Sequence, residues 1–549
     1  MAPSAQEPPT YSQFACIGTG FSGIALGAQL QRWYGITDIR FFEQQTSLGG
    51  TWHINRYPGA ACDIPSALYS LSFETNPNWT RVMPAQEELF KYLKRVSDKY
   101  NLTDKMSFNT TVTRCEWVPQ TSRWRIHTRD AKTGATLRLH EAQFLFSGAG
   151  LFNSPRDAGV PGAESFNGRI VHSGRWPTDD SFTLENKNVV VFGNGCTGSQ
   201  IVPAIVGQTK HTTQIIRSRH WVMPPLDRVM TPALRAILTW VPGTMLLQRF
   251  FIFCLIENHW RGFYMTEAGA RFRKKYEAIC TQYFKATAPE KYHDMLIPDW
   301  SIGCKRRVFD CGYLESLHAE NLTLTDEPAD VIVLATGFDS NRYLGGVEVV
   351  GREGETLEEH WERAGGAGAY NASCLSGFPN FFLLMGPNSS TGHNSVVLAT
   401  ENMVNYALRV LKPLLEGKGA TAEVKPDAEQ TYVSDIQDGL KNTVFLKGGC
   451  ASWYNRGTDA EGKKTWNAST YPYSQEYFWY RCLFPVWDDW VYGGKQTKST
   501  IAKRQTGLLW VVTPLLLVAA GLFWLNATGG SKVEIPFVSD LAKSLKLKI

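Results

Sequence analysis

Two glycine-rich turns are the features of this sequence whose spacing most directly predicts chemistry. The first turn, residues 18–23 (GTGFSG), follows a short apolar run at 14–17 and precedes a helix-like segment that extends to Arg32. In a strand–turn–helix unit of this kind, glycines let backbone N–H groups approach a pyrophosphate at the positive end of the helix. The glycines expected to contact a dinucleotide are Gly18, Gly20 and Gly23.

An acidic residue completes the first site. Residues 39–43 (IRFFE) have the composition of a second strand and end in Glu43, twenty residues after the last glycine of the turn. At this position a carboxylate can accept hydrogen bonds from ribose hydroxyl groups. The first site therefore favours an adenosine with free ribose hydroxyls, as in FAD.

A second copy of the pattern lies at residues 188–217, where an apolar run (NVVVF) leads into residues 193–198 (GNGCTG). Its glycines are Gly193, Gly195 and Gly198. Where the first copy ends in a carboxylate, the second has Arg217, Ser218 and Arg219. Cations at this point would attract the 2'-phosphate of NADPH, which a carboxylate would repel. The alternative for the two arginines is a pair of solvated surface cations.

Two dinucleotide sites in one chain predict electron transfer between two cofactors, with FAD accepting hydride from NADPH. Disulfide reductases share this layout, but they need a redox-active cysteine pair near the first site, and Cys62 has no near neighbour of its type. The eleven cysteines are widely spaced and show neither CxxC nor zinc-ligand spacing. We therefore expect reduced thiols and no bound metal.

Two longer motifs lie between the glycine turns. Residues 49–63 (GGTWHINRYPGAACD) match G-G-x-W-x(4)-Y-P-G-x(3)-D, and residues 166–177 (FNGRIVHSGRWP) match F-x-G-x(3)-H-x(3)-W-P. Together they resemble the motifs of the Baeyer-Villiger monooxygenases, the class B flavoprotein oxygenases. The resemblance covers about residues 12–492.

The resemblance implies that FAD, once reduced by NADPH, activates dioxygen and that one oxygen atom is inserted beside a ketone carbonyl, giving an ester or lactone. It assigns the active-site arginine to Arg306, a permanent cation that would favour an anionic oxygen species. It assigns to Asp63 the task of holding Arg306; the alternative is an aspartate that caps a loop. Lys305 matches a residue near the 2'-phosphate of NADPH.

Other residues are expected near the cofactors without a chemical role of their own. Within the first motif, the expected cofactor contacts are Gly50, Thr51, Trp52 and Asp63. Trp453 resembles a tryptophan beside the nicotinamide, although a lone tryptophan more often belongs to a core. His172 resembles a histidine that coordinates domain movement in the family; the alternative is a hydrogen-bonded core histidine.

One segment departs from the family. Only residues 325–329 separate two strand-like runs, 321–324 and 330–334, where the family has a longer segment with strands. Five residues cannot form a β-meander. This departure supports a second hypothesis, a membrane-anchored flavoprotein that binds cofactors but is catalytically impaired. A third is a related oxygenase that acts on nitrogen or sulfur, but the complete second motif favours the ketone oxygenase.

These placements predict an α/β fold with two dinucleotide-binding, Rossmann-like domains. Residues 12–155 and a return segment, 336–500, are expected to form the FAD domain, and residues 160–335 the NADPH domain. A helical insertion at about 225–300 interrupts the NADPH domain. Within it, residues 246–253 (LLQRFFIF) are apolar enough to face a pocket or to form a core helix.

The chain ends in a different kind of sequence. Residues 507–525 carry no charge and are long enough to cross a bilayer, so we expect a transmembrane helix; a buried core helix is the alternative. The N-terminus lacks the apolar core of a signal peptide, which predicts a catalytic domain on the cytosolic side, with the endoplasmic reticulum as one candidate membrane. A membrane location fits an apolar ketone such as a secondary metabolite.

The overall composition excludes several other classes. Of the 549 residues, 43% are hydrophobic and 19% are charged, which rules out a disordered, collagenous or coiled-coil chain. A net charge of +5 over this length gives no reason to expect nucleic acid binding. The expected partners are a small ketone, dioxygen and a membrane, and no obligate protein partner is indicated.

Overall fold

The first glycine turn connects a strand, Thr10–Ile17, to a helix, Phe21–Tyr34, as its sequence predicts. A computed structural model of the protein describes residues 8–152, 154–156, 163–179, 181–324, 331–338, 343–450, 452, 454 and 466–495. Its strands are β1 (Thr10–Ile17), β2 (Ile39–Phe42), β3 (Met106–Ser107), β4 (Thr110–Val118), β5 (Arg123–Asp130), β6 (His140–Ser147), β7 (Arg169–His172), β8 (Asn188–Phe192), β9 (His211–Ile215), β10 (Val222–Met223), β11 (Val308–Phe309), β12 (Leu322–Thr323), β13 (Val331–Leu334), β14 (Glu348–Val350), β15 (Phe381–Leu383), β16 (Thr421–Val424) and β17 (Trp490–Gly493). Its α-helices are α1 (Phe21–Tyr34), α2 (Thr51–Ile54), α3 (Gln86–Lys99), α4 (Cys196–Ile205), α5 (Pro232–Trp240), α6 (Thr244–Glu257), α7 (Glu267–Thr287), α8 (His293–Leu296), α9 (Tyr313–Ser316), α10 (Leu357–Arg363), α11 (Val396–Leu415), α12 (Pro426–Leu440), α13 (Val444–Lys447) and α14 (Gln475–Leu483).

In the larger sheet, β1 forms parallel pairs with β6 on one side and β2 on the other. The strand order is β14-β4-β5-β6-β1-β2-β3, and β15 also pairs with β6. Because β14 and β15 come from the return segment, this sheet combines strands from both parts of the predicted FAD domain.

Helix α1 is buried along most of its length and packs against α11 of the return segment. Small and aliphatic residues (GIALGAQL) allow this close packing. Two hydrogen bonds fix the contact, from the hydroxyl of Tyr34 to the carbonyl of Leu408 at 2.9 Å and from the amide of Gln29 to Asn405 at 2.8 Å.

The second sheet contains β12, β9, β8, β13 and β7 in that order, and every pair is parallel. Strand β13 pairs on both sides, since Ile332 lies opposite Val190 of β8 and Ile170 of β7. Residues 325–329 lie outside the described residues, and the strands on either side of them belong to this one sheet. The larger sheet is mixed, because β5 pairs antiparallel with β4 and β6. Each glycine turn nevertheless joins a strand in parallel pairs to a helix, which confirms the predicted α/β class.

Helices α5 to α8 lie between β10 and β11, where a helical insertion was expected. In α6, Ile252, Phe253 and Ile256 pack partly against the core, whereas Leu247 and Phe251 are exposed. Of the two alternatives for residues 246–253, neither describes the whole segment: none of them lines the large cavity, and only part of the segment packs against the core.

Cys304 and Cys450 form a disulfide bond between residues 146 positions apart. The prediction that all cysteines are reduced thiols is therefore wrong for this pair, and the other nine are free. Their separation explains the error, because a local spacing rule cannot identify two cysteines that only tertiary folding brings together.

The predicted transmembrane segment, residues 507–525, lies outside the described residues. Among the helices that are described, none is by itself both long and apolar enough to cross a bilayer. Helix α5 and the helical stretch 244–263 reach that threshold only together, as a pair bent by 113°.

Candidate active site

A cavity of about 1750 Å³ contains both glycine turns and the residues between them that sequence analysis selected. The selected residues that line it are Gly18, Gly20, Glu43, Gly50, Thr51, Trp52, Asp63, Gly193, Gly195, Arg217, Ser218, Lys305 and Arg306. Gly23 and Gly198 lie behind their turns and do not line the cavity. Trp453 lies outside the described residues.

The first turn depends on glycine for space as well as for conformation. Gly18 has a positive φ of 95°, and a Cβ there would lie 2.5 Å from the carbonyl oxygen of Gly148. A Cβ at Gly23 would lie 2.3 Å from the carbonyl oxygen of Gly18, so the third glycine allows α1 to approach β1. A Cβ at Gly20 would lie 3.5 Å from the Cα of Gly50, so two glycine backbones meet at the cavity wall.

Glu43 is buried and holds the turn in place. One carboxylate oxygen accepts hydrogen bonds from the backbone N–H and the hydroxyl of Thr19, at 3.0 and 2.9 Å, and the other accepts one from the N–H of Gln45 at 2.9 Å. A carboxylate oxygen has a second lone pair, so these bonds leave capacity for a ribose hydroxyl. Glu43 therefore joins the end of β2 to the glycine turn at the edge of the cavity.

The second turn repeats this geometry. Gly193 has a φ of 110°, and a Cβ there would lie 2.7 Å from the carbonyl oxygen of Ala335. A Cβ at Gly198 would lie 2.2 Å from the carbonyl oxygen of Gly193. At Gly195, by contrast, a Cβ would meet nothing closer than His220 at 4.0 Å. The middle glycine therefore faces open space at the start of α4.

Basic side chains lie beside the second turn. Arg217, Arg219 and Lys305 all line the cavity, although Arg217 is exposed and Arg219 is 3.4 Å from the carboxylate of Asp299. Lys305 is 8% exposed, with its ammonium 5.0 Å from the ring centre of Trp300. The structure thus brings three cations from two distant segments to the wall beside the second turn.

Arg306 and Asp63 form a bidentate ion pair. The Nε and Nη2 groups of Arg306 donate to the two carboxylate oxygens of Asp63 at 2.7 and 2.6 Å. Burial by itself would raise the pKa of Asp63, but the charge and hydrogen bonds of Arg306 outweigh it and hold that pKa below its usual value. Asp63 in turn holds the pKa of Arg306 well above its usual value, despite burial. Both groups are therefore charged in the neutral pH range.

Helix α4 holds the loop that carries Asp63, a contact that sequence analysis missed. Gln200 accepts a hydrogen bond from the hydroxyl of Tyr57 at 2.8 Å and donates one to the carbonyl of Ala61 at 3.0 Å. Gly59 has a φ of 79°, and a Cβ there would lie 2.4 Å from the carbonyl oxygen of Gln200. The Y-P-G portion of the first motif is the signal that could have indicated this close contact.

One cysteine of the disulfide lies two residues before the arginine of the ion pair. Cys304 precedes Lys305 and Arg306, and Cys450 begins the segment that leads to Tyr454. Tyr454 is buried and lines the cavity; burial raises its pKa to about 12, against the opposing charge of Arg306. The bond therefore links the segment that carries Arg306 to the segment that carries Tyr454, and both residues line the cavity.

Trp52 and His172 have packing and hydrogen-bonding roles. The Trp52 ring is buried and packs edge-to-face against Tyr69, with ring centres 5.6 Å apart. His172 lies outside the cavity wall: its Nδ1 accepts from the N–H of Gly174 at 3.0 Å, and its Nε2 lies 3.1 Å from the carbonyl oxygen of Gly337. Burial lowers the pKa of His172, so the neutral ring joins β7 to the segment after β13.

Comparison with known proteins adds an independent line of support. Residues 13–232 match a family model described as flavin-binding monooxygenase-like. The chain is 34% identical to a Baeyer-Villiger monooxygenase of Streptomyces coelicolor over 84% of this chain and 90% of the relative. It is 30% identical to an FAD-binding monooxygenase of Aspergillus niger over 97% of this chain and 92% of the relative.

Solved structures show the same architecture. A steroid monooxygenase bound to NADP superposes with a TM-score of 0.73 at 25% identity, covering 88% of this chain and all of the other. A cyclohexanone monooxygenase from Rhodococcus sp. Phi1 bound to NADP+ superposes with a TM-score of 0.75 at 22% identity, covering 89% of this chain and all of the other. At that lower identity, the similarity supports the fold alone.

Proposed function

The chain belongs to the Baeyer-Villiger monooxygenases, and from this premise we propose that it uses FAD, NADPH and dioxygen to insert one oxygen atom beside the carbonyl of an apolar ketone. The product is an ester or a lactone. The observation that carries this proposal is the Arg306–Asp63 ion pair, which lies in one cavity with both glycine turns.

The residues of the first site fit FAD. The bare backbones of Gly20 and Gly50 meet at the cavity wall, where any larger side chain would occupy the path of a pyrophosphate. Glu43 supplies the carboxylate at the ribose position. When bound, FAD accepts hydride from NADPH and transfers one atom of dioxygen to the substrate.

The residues of the second site fit NADPH rather than NADH. Open space lies in front of Gly195, and the adjoining wall carries Arg217, Arg219 and Lys305. A 2'-phosphate gains charge-assisted hydrogen bonds from such cations, whereas an unphosphorylated ribose does not.

Arg306 stabilises negative charge that develops on oxygen at the reacting centre. At an effective dielectric constant of about 20, a unit cation stabilises an anion about 4 Å away by about 4 kcal/mol. Asp63 fixes the orientation of the guanidinium through two hydrogen bonds. The Cys304–Cys450 disulfide links the segment of Arg306 covalently to the return segment and so restricts the movement of this part of the wall.

The wall around the ion pair favours an apolar substrate. Ile64, Tyr69, Met385, Val396 and Val397 line the same cavity. Apolar walls with a few fixed polar groups are typical of sites that bind small organic molecules. We infer that the ketone is largely hydrocarbon, such as a secondary metabolite.

The test is anaerobic reduction of the purified holoenzyme by NADPH, followed by mixing with dioxygen and a panel of apolar ketones. We expect flavin reduction, and oxygenated ketone in proportion to the NADPH consumed. In Arg306→Ala, flavin reduction should persist while hydrogen peroxide replaces the product. A wild-type enzyme that cannot reduce its flavin with NADPH would instead support the catalytically impaired alternative. Oxygenation of amines or sulfides but not ketones would support the other hypothesis, a related oxygenase that acts on nitrogen or sulfur.

We also propose that residues 507–525 anchor the chain in a membrane, with the catalytic residues on the cytosolic side. The alignment with the Aspergillus niger relative covers 97% of this chain, so it reaches into this stretch. The Cys304–Cys450 disulfide is of a kind that is rare in the cytosol, so orientation needs a direct test. In sealed microsomes, added protease should digest the catalytic domain; complete protection would place that domain in the lumen.

A further inference from the structure

The exposed face of the helical insertion is strongly apolar. Helices α5 and α6 and the turn between them expose large hydrophobic side chains, which we call the insertion face. Its members are Leu234, Ile237, Trp240, Val241, Leu246, Leu247, Phe251 and Leu255. Trp240, at the end of α5, is 80% exposed. Eight exposed side chains of this kind on two consecutive helices and the turn between them are unusual on the surface of a soluble monomer and mark a surface that binds something apolar.

The exposed residues of α6 follow helical periodicity. Leu247, Phe251 and Leu255 are four residues apart and therefore form one stripe along the helix. The opposite side of the helix is fixed to the protein, since Ile252, Phe253 and Ile256 pack against the core. The outward orientation of the stripe is therefore set by tertiary packing.

Two buried charged residues join the inner side of α6 to the cavity wall. Arg249 donates to the carbonyl oxygens of Ala67 and Ser70 at 2.6 and 2.8 Å, on either side of Tyr69. Glu257 accepts a hydrogen bond from the side chain of Asn394 at 2.7 Å. Tyr69 and Asn394 both line the large cavity. The insertion face thus lies on the outside of a structure whose inner side supports the cavity wall.

The charges of this segment suit a lipid surface. Residues 229–258 contain only three charged side chains, and two of them, Arg249 and Glu257, are buried in the contacts just described. The third, Arg235, is a cation on α5. The insertion face therefore exposes no carboxylate that anionic headgroups would repel.

The dimensions of the helices fit a surface position and exclude a straight transmembrane rod. At about 1.5 Å per residue, α5 and α6 are about 14 and 21 Å long, shorter than the hydrocarbon core of about 30 Å. The pair is bent by 113°. Because the inner side of α6 is held by the protein, only its outer stripe is free to be buried among the acyl chains of one leaflet.

An adjoining helix extends the same surface. The N–H of Gln475, at the start of α14, donates to Glu257 at 2.6 Å, so α14 begins where α6 ends. Beyond this contact, Tyr477, Tyr480 and Phe484 are exposed, together with one carboxylate, Glu476, at the start of the helix. Tyrosine and tryptophan are the residues that membrane proteins concentrate at the level of the headgroups.

We propose that the insertion face docks on a lipid bilayer as a second membrane contact, separate from the C-terminal segment, and that it places the cavity wall of Tyr69 and Asn394 next to the lipid. A chain held at the bilayer by its tail docks such a face more readily, because the tether raises its effective concentration at the surface. The inference that the bilayer supplies an apolar ketone rests on the proposed function, whereas the lipid contact itself does not.

The experiment uses the full chain in nanodiscs of phosphatidylcholine and phosphatidylserine that contain a phosphatidylcholine with a photoreactive acyl chain. After irradiation and digestion, peptides from residues 229–258 should carry lipid adducts in the wild-type protein. In the triple variant Trp240→Ser, Leu247→Ser and Phe251→Ser, the labelling of these peptides should fall about tenfold. Labelling of peptides from 507–525 should stay the same in both proteins.

The control variant replaces two exposed apolar residues outside the insertion, Tyr11→Ser in β1 and Leu137→Ser in the loop before β6, and should leave the labelling of residues 229–258 unchanged. A wild-type protein with adducts only in residues 507–525 would overturn the proposal. Chemical crosslinks that join α5 or α6 of one chain to another chain, without lipid adducts there, would show that a second copy covers this face. Flavin reduction by NADPH, measured on the same nanodiscs, reports on the proposed function independently.

Discussion

Asp63→Asn is the substitution that most directly tests the ion pair. The amide keeps the shape of the carboxylate but removes its charge, so Arg306 loses a bidentate partner at 2.7 and 2.6 Å. The two side chains are 25% and 23% exposed, so solvent screens the pair only in part. Hydrogen bonds between charged groups in such a setting contribute about 2 kcal/mol. If that energy orients Arg306 at the reacting centre, its loss corresponds to a roughly thirtyfold fall in the rate of oxygen transfer to the ketone.

The assay compares oxygenated product, hydrogen peroxide and NADPH consumption in the same reaction. We expect Asp63→Asn to oxidise NADPH while the product formed per NADPH falls by up to roughly thirtyfold. The stability effect depends on pH because the pKa of Asp63 lies below its usual value in the folded protein. Its contribution is present above the unfolded pKa of about 4 and is lost as the pH falls through the folded pKa. The variant should therefore be less stable than wild type in urea at neutral pH, and the difference should shrink in acid.

Asp98→Asn is a matched control, because it removes an exposed carboxylate that pairs with Lys94 within α3. Exposed pairs of this kind contribute little, so product yield and stability should barely change. Wild-type product yield in Asp63→Asn would refute the positioning role of this carboxylate. A parallel loss in both variants would show that the assay responds to general destabilisation.

Three further substitutions test separate parts of the structure. Lys305→Ala should raise KM for NADPH by about tenfold and change KM for NADH much less, because only NADPH has the 2'-phosphate. Gly59→Ala should lower the melting temperature, because its Cβ would overlap the α4 backbone at a positive φ, whereas Gly207→Ala, with open space around it, should not. Burial lowers the pKa of His360, but Glu429, at 3.0 Å, outweighs it and raises that pKa above its usual value. His360→Gln should therefore destabilise the protein more at about pH 6 than at about pH 8, as urea unfolding at each pH would show, since this contribution is lost as pH rises.

The two glycine turns could be predicted from sequence because their signal is local. A glycine with positive φ at the end of a strand and a second glycine at the start of a helix occur within six residues, as at residues 18–23. The pairing of Asp63 with Arg306 is different, since 243 positions separate them. Only the resemblance to a family indicated that these two residues meet.

The orientation of α6 shows what a local pattern cannot supply. Its sequence is apolar on every side, so the spacing of hydrophobic residues does not identify an inner face. The deciding groups are Arg249 and Glu257, whose buried partners lie in other segments of the chain. The disulfide escaped prediction for the same reason, because Cys304 and Cys450 meet only after the second sheet and the return segment have folded.

The Cys304–Cys450 bond closes a covalent ring that includes β11 to β16 and α9 to α13. Proteolytic cleavage of the chain at one point inside this ring would not release a fragment, because the two halves would remain joined by the sulfur bridge. Cleavage before Cys304 or after Cys450 would release one. A single cleavage inside the ring therefore releases a fragment only after a reductant breaks the disulfide. A single cleavage in the flanking portions releases one without a reductant.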